Sequence, residues 1–181
     1  MKGRFKTLVL AALGAIASFT TVTFTACNDD PCKAIACAYG GVCKDGDCAC
    51  PSGYEGIHCE IVTRDKYVGT WTVFEKGTST MPAEYPLSID YGLTPTTLNI
   101  RNFYNRFNDK SQPVAATVRG DSMFINTFVE HFKVEGTGVL KWESYYPKHG
   151  ELTLRYTVRD TVTGQVNDFG VNAGVPSIWN R

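Results

Sequence analysis

The chain has 181 residues with 18 basic and 18 acidic side chains, so its formal net charge is zero. That balance excludes the basic surface that nucleic-acid binding requires, and the length predicts one domain or slightly more. The average hides a division. Residues 1–26 hold Lys2, Arg4 and Lys6 and no acidic residue, and without them the count is 15 basic against 18 acidic, a net charge of −3.

Met1 to Lys6 reads as the positive start of a signal peptide, followed by an apolar run over Thr7–Phe19. Those 13 residues fall short of the ~20 that a membrane-spanning helix needs. The expectation is a signal peptide over 1–26, removed on export. Phe24-Thr25-Ala26-Cys27 resembles a bacterial lipobox, with Phe24 where Leu is usual. The resemblance implies a diacylglycerol thioether on Cys27 and attachment to a membrane through that lipid. The cysteine count agrees: there are seven, six fall in one compact set, and an odd cysteine in an exported chain needs a separate explanation. Residues 27–31 then form a lipidated tether. Its Asn28-Asp29-Asp30 resembles the acidic signals that carry some Gram-negative lipoproteins to the outer face of the outer membrane; the plainer reading is a solvated acidic spacer.

Cys32, Cys37, Cys43, Cys48, Cys50 and Cys59 lie within 28 residues, too few to bury a sufficient core without staples. In an oxidising compartment disulfides are favoured over zinc, but the spacing alone does not choose among the possible connectivities. Cys48 and Cys50 are two apart, so a bond between them would close a very tight ring, and they are expected in different bridges. Cys48-Ala49-Cys50-Pro51-Ser52-Gly53-Tyr54-Glu55-Gly56-Ile57-His58-Cys59 resembles the ending of an EGF-like domain, and Gly40-Gly41-Val42-Cys43 resembles that family's turn. An EGF-like domain over 32–60 is therefore expected. The family order implies Cys32–Cys43, Cys37–Cys48 and Cys50–Cys59, with Tyr54 covering the last bridge. Calcium, which some of these modules bind, is not expected. Pro31 stands where a ligand would be, and the loop after Cys43 holds only Lys44-Asp45-Gly46-Asp47, against about six to eight oxygens required.

Residues 61–65 read as a linker, and 66–181 as a second domain with the period-two alternation of half-buried strands. Leu152, Leu154, Tyr156 and Val158 share one face of the clearest strand. Further strands are expected over 69–76, 85–91, 96–102, 114–119, 122–127, 129–135 and 138–144. Eight such strands predict an antiparallel barrel or sandwich. Gly69-Thr70-Trp71 resembles the opening of lipocalin-like barrels, which implies a Trp71 that closes one barrel end against a late arginine, Arg155 or Arg159. It also implies an interior able to hold a small apolar ligand, unless side chains fill it. Phe103, Tyr104, Phe107, Phe124, Phe128, Phe132 and Trp142 are the aromatics available for either outcome.

The chain is thus expected to be mainly β. It shows no catalytic constellation: His58, His131 and His149 lie at no metal-ligand spacing, and Glu130-His131 on a strand would point to opposite faces. No catalytic residue, metal or cofactor is expected. Asp121-Ser122-Met123 and Asp160-Thr161-Val162 resemble a short O-glycosylation acceptor of some Gram-negative bacteria, with ordinary hairpin turns as the alternative. The expected function is a non-catalytic envelope lipoprotein that contacts protein or glycan. The alternative is a carrier or sensor of a small apolar ligand.

Overall fold

The computed structural model describes residues 30–108, 112–142 and 149–181. The expected signal peptide and the expected lipidation site, Cys27, lie outside the described residues. The chain is mainly β, with a small disulfide-bonded module followed by a closed antiparallel barrel.

The module consists of β1 (Val42–Lys44) and β2 (Asp47–Ala49), which form a hairpin, and β3 (Tyr54–Glu55), which pairs with β4 (Ile61–Val62). A 3₁₀ turn over Ala38–Gly40 precedes β1, and another over Thr63–Lys66 follows β4. The expected linker over 61–65 is therefore structured. Ile61 and Val62 complete the module's second hairpin, and Thr63 is buried. Its sequence has no alternation long enough to show strand pairing, because two residues suffice to close a ladder.

The barrel strands are β5 (Gly69–Glu75), β6 (Ala83–Tyr91), β7 (Thr97–Arg101), β8 (Val114–Arg119), β9 (Ser122–Val129), β10 (Phe132–Trp142) and β11 (Gly150–Asp160), then β12 (Val166–Phe169) and β13 (Ser177–Asn180). Each strand from β5 to β11 pairs with the next. The eighth position is shared. β12 pairs with the end of β11 and β13 with its beginning, and β13 closes the ring onto β5. Closure leaves no free edge in the ring.

Two details differ from the strand pattern expected. The runs at 129–135 and 138–144 are not two strands: β10 is continuous from Phe132 to Trp142. Gly136, in the expected gap between those runs, and Gly138 lie in its middle. A Cβ on Gly136 would meet the Tyr156 Cβ at 2.4 Å, so the glycine lets β10 and β11 approach closely. Glu130 and His131 are not on a strand either. They form the β9–β10 turn, and Glu130 takes a left-handed φ of 54°. The missing eighth strand is the broken β12/β13 pair, too short on each side to show periodicity.

One face of every barrel strand points inward. The core runs from Tyr67 and Trp71 through Leu98, Ile100 and Met123 to Leu152, Leu154 and Trp179. Phe124 and Phe128 are not part of it: they sit on the outer face of β9, 43% and 64% exposed. Period two fixes this, since Met123 and Ile125 take the inner face of the same strand.

Candidate binding surfaces

In the module, disulfides join Cys32 to Cys43, Cys37 to Cys48 and Cys50 to Cys59, with Cα separations of 5.7, 5.7 and 5.3 Å. These are the pairs that the EGF resemblance implies, and Cys48 and Cys50 serve different bridges. Cys43 and Cys48 face each other across β1 and β2 yet bond elsewhere. The Tyr54 ring stacks on Tyr39 at 4.4 Å; Tyr39, Val42 and Ile57 are exposed. His58 is exposed. Among the described residues no cluster of His, Cys, Asp or Glu is placed to hold a metal ion.

The module is fixed to one pole of the barrel. Lys66 bridges Glu55 of the module at 2.7 Å and Asp121 of the β8–β9 turn at 2.6 Å. Burial opposes the charged ammonium, but the bonds to Asp121 and Glu55 outweigh it and raise its pKa. Arg64 donates to the carbonyls of Gly92 and Thr94 on the β6–β7 hairpin and lies over the Tyr91 ring at 4.8 Å. The Tyr67 hydroxyl donates to the Gly120 carbonyl at 3.0 Å. Gly53 leaves so little space beside Pro95 that a Cβ there would stand 2.8 Å away. A cleft of about 470 Å³ runs along this junction, between Tyr54, Glu55 and Arg119.

Trp71 closes the same pole. It is fully buried, and its indole N–H donates to the Tyr67 carbonyl at 2.8 Å. Its cationic partner is neither Arg155 nor Arg159 but Arg181, whose guanidinium lies 5.2 Å from the Trp71 ring and 5.0 Å from the Trp142 ring. Arg181 also donates to the Val68 carbonyl. Arg155 instead holds the Gly170 carbonyl, and Arg159 is exposed. Gly69 has a φ of 135°, and a Cβ there would sit 2.9 Å from the Arg181 guanidinium. Sequence spacing gave no sign of Arg181, because β13 was not recognised as the strand that returns to β5.

The interior is filled. Trp71, Trp179, Tyr67, Tyr156, Phe103 and Phe169 are all wholly buried, so no water could touch them, from outside or from a void within. At the far end of β5, the nearly buried Glu75 accepts hydrogen bonds from the hydroxyls of Tyr85 (2.7 Å), Tyr156 (2.8 Å) and Ser177 (2.8 Å). The Trp179 N–H completes the chain by donating to Ser177 at 2.8 Å. Burial and the Glu75 charge push both tyrosines well above their ordinary pKa. Every group in this network has a partner, as an interior polar group must, and Glu75 also lines the outer cleft beside Phe74.

The remaining clefts lie outside the core. One of about 660 Å³ runs over the outer wall beside Phe74, Ala83, Val175, Pro176 and Ile178. Another of about 460 Å³ follows Leu93, Asn99, Ala115, Thr117 and Phe124. A third, of about 240 Å³, sits at the pole away from the module, among Tyr104, Arg106, Phe132, Asp160, Gln165 and Asn167. Beside it, the loop 102–108 inserts Phe103 and Phe107 into the barrel mouth. Thr161 is exposed at the β11–β12 turn and its hydroxyl donates to the His131 carbonyl; Ser122 begins β9 and is half-buried.

Comparison with known proteins reaches the module. Residues 35–62 match the family model of the Teneurin-like EGF domain. The epidermal growth factor of Lymnaea stagnalis is 47% identical over 37 residues, which cover 18% of this chain and 58% of that protein. The chain thus spans somewhat more than half the length of the curated relative it matches. An EGF-like module joined to a closed β-barrel fits a non-catalytic binding protein.

Proposed function

We propose that this chain is a lipid-anchored protein of a Gram-negative envelope, held in the outer membrane through Cys27 and displaying its module and barrel to a partner protein or glycan. The observation that carries the reading is the fixed junction: a disulfide-bonded EGF-like module is clamped by Lys66 and Arg64 to a barrel whose interior is filled. Such a body offers surfaces, not a chamber. The six other cysteines are consumed in three bridges, which leaves Cys27 free for the lipid. Its non-catalytic character rests on the absence of any nucleophile–base pair in the sequence motifs. Carriage of an apolar molecule inside the barrel is disfavoured by the packed core; an apolar ligand would have to use the outer cleft at Phe74.

The test is metabolic labelling of a Gram-negative host with an alkynyl palmitate. The full chain should take up label and Cys27→Ser should not. Label retained in Cys27→Ser would sink the anchor. Protease added to intact cells should remove the barrel; complete protection would restrict the protein to the periplasmic face.

A further inference from the structure

We propose that the 240 Å³ cleft at the far pole is a binding site for one neutral sugar residue of a glycan. This rests on the display reading above and names the ligand chemistry of one of its surfaces.

The cleft brings the Tyr104 ring together with several polar side chains. Tyr104 is half-buried and packs edge-on against Phe169 at 5.9 Å; its hydroxyl accepts from the Asn167 amide at 3.1 Å, so its own proton is unspent among the described residues. One oxygen of Asp160 accepts from the N–H groups of Val162 and Thr163. The other lies 3.9 Å from the His131 ring nitrogen, too far for a hydrogen bond, and the Thr163 side chain also bonds the carboxylate. The Gln165 side-chain amide has no partner among the described residues. The Arg106 guanidinium lies over Phe132 at 4.3 Å, with one nitrogen 3.7 Å from Glu130, so most of its N–H groups are free to donate.

These groups match a sugar's chemistry. A sugar hydroxyl both donates and accepts, as an amide, a carboxylate and a guanidinium together require, and the C–H face of a pyranose packs on an aromatic ring. Charge selects further. Arg106 and Asp160 both line the cleft and carry opposite signs, so an anion meets Asp160 and a cation meets Arg106. The ligand favoured is neutral. The volume equals that of about eight waters, which suits a single ring with the rest of a glycan extending into solvent.

The site is also set in advance. Asn102, Tyr104 and Asn105 have left-handed φ values of 60°, 60° and 49°, a region that asparagine visits readily and tyrosine rarely. The buried rings of Phe103 and Phe107 hold the loop in this form, and Asn167 is fixed by Ser79, Thr80 and Tyr104. A ligand therefore meets groups already ordered. Because the module occupies the opposite pole, the cleft lies at the end of the barrel away from the proposed anchor.

The experiment uses the full chain in detergent micelles on an array of neutral and charged glycans, with methyl glycosides of neutral hexoses and N-acetylhexosamines as competitors. The chain should be retained on glycans ending in a neutral sugar and released by the matching methyl glycoside. Gln165→Ala and Arg106→Gln should each weaken retention about fivefold, the effect of one hydrogen bond, while Phe124→Ser on the outer wall should not. Retention of charged glycans alone, retention that both cleft variants leave unchanged, or no retention of any glycan would overturn the proposal. A chain that is lipidated and exposed yet binds no glycan removes this site and leaves the display reading standing. A chain that binds neutral glycans without palmitate does the reverse.

Discussion

The two parts of this molecule are held together by different means. Among residues 30–62 the buried side chain is Cys59, and three covalent bridges take the place of a core. The barrel holds no cysteine and rests on packed aromatics and aliphatics from Tyr67 to Trp179. A stretch that short buries too little surface to offset its conformational entropy, so it restricts the unfolded chain instead. The longer stretch gains its order from water exclusion. Joining them at Lys66 and Arg64 brings both strategies into one body, whose halves should respond to different insults.

Reduction should separate them most. Each bridge closes a loop of roughly ten residues and contributes about 3 kcal/mol by loop entropy. With a thiol reductant, amide exchange should show the module losing protection while the barrel keeps it. Simultaneous loss in both would mean that they fold as one cooperative unit. The reciprocal change is Trp71→Ala or Trp179→Ala, expected to cost the barrel about 3–5 kcal/mol; urea titration should register this while mass spectrometry still finds all three bridges. A comparable effect is expected from Glu75→Ala, which leaves the Tyr85, Tyr156 and Ser177 hydroxyls without their acceptor at about 1–3 kcal/mol per orphaned group. Adding Tyr85→Phe and Tyr156→Phe to Glu75→Ala should recover part of the loss; no recovery would place the cost in packing.

The junction is weaker still. Lys66→Met should cost about 1 kcal/mol, read by calorimetry as a wider gap between the transitions of module and barrel. Since the folded pKa of Lys66 is raised, its contribution is complete below the ordinary lysine value of about 10.4 and disappears as pH climbs through the raised value. The modules should therefore remain coupled at neutral pH and separate only in strong alkali. The smallest effect concerns one barrel loop. Burial opposes the Asp168 charge, but the N–H groups of Val171, Asn172 and Ala173 outweigh it and lower the pKa. That support is complete above about 3.9 and is lost as pH falls through the depressed value. Amide exchange at Val171–Ala173 should rise in acid while the disulfide-bonded module stays protected.

The same contrast governs what could be read from sequence. The module was legible almost residue by residue, because cysteine spacing and the Gly53-Tyr54 ending are local. The barrel was legible as a class. Alternation at Leu152–Val158 shows a half-buried strand, and Gly69-Thr70-Trp71 locates the first one. The closing element was not legible. Arg181 meets Trp71 only because β13 returns beside β5, a contact across more than a hundred residues, and β12 and β13 are each four residues long. The glycines of β10 misled for a related reason: a residue that breaks a strand in isolation permits close packing when a second strand lies against it. The far-pole cleft was invisible for the same cause, since Tyr104, Asp160 and Asn167 share no motif and meet only after closure.

The crossed pattern of the bridges bears on how the chain matures. Cysteines that become available in chain order would meet first as Cys32 with Cys37 and Cys43 with Cys48, and the β1–β2 hairpin brings the second pair face to face. Neither pair is native; only Cys50–Cys59 joins consecutive cysteines. An oxidant acting alone therefore tends to trap the module in wrong pairings, and the native set must be reached by thiol attack on those bonds. Refolding of the reduced chain should therefore give more native module in a thiol–disulfide buffer than with an oxidant alone.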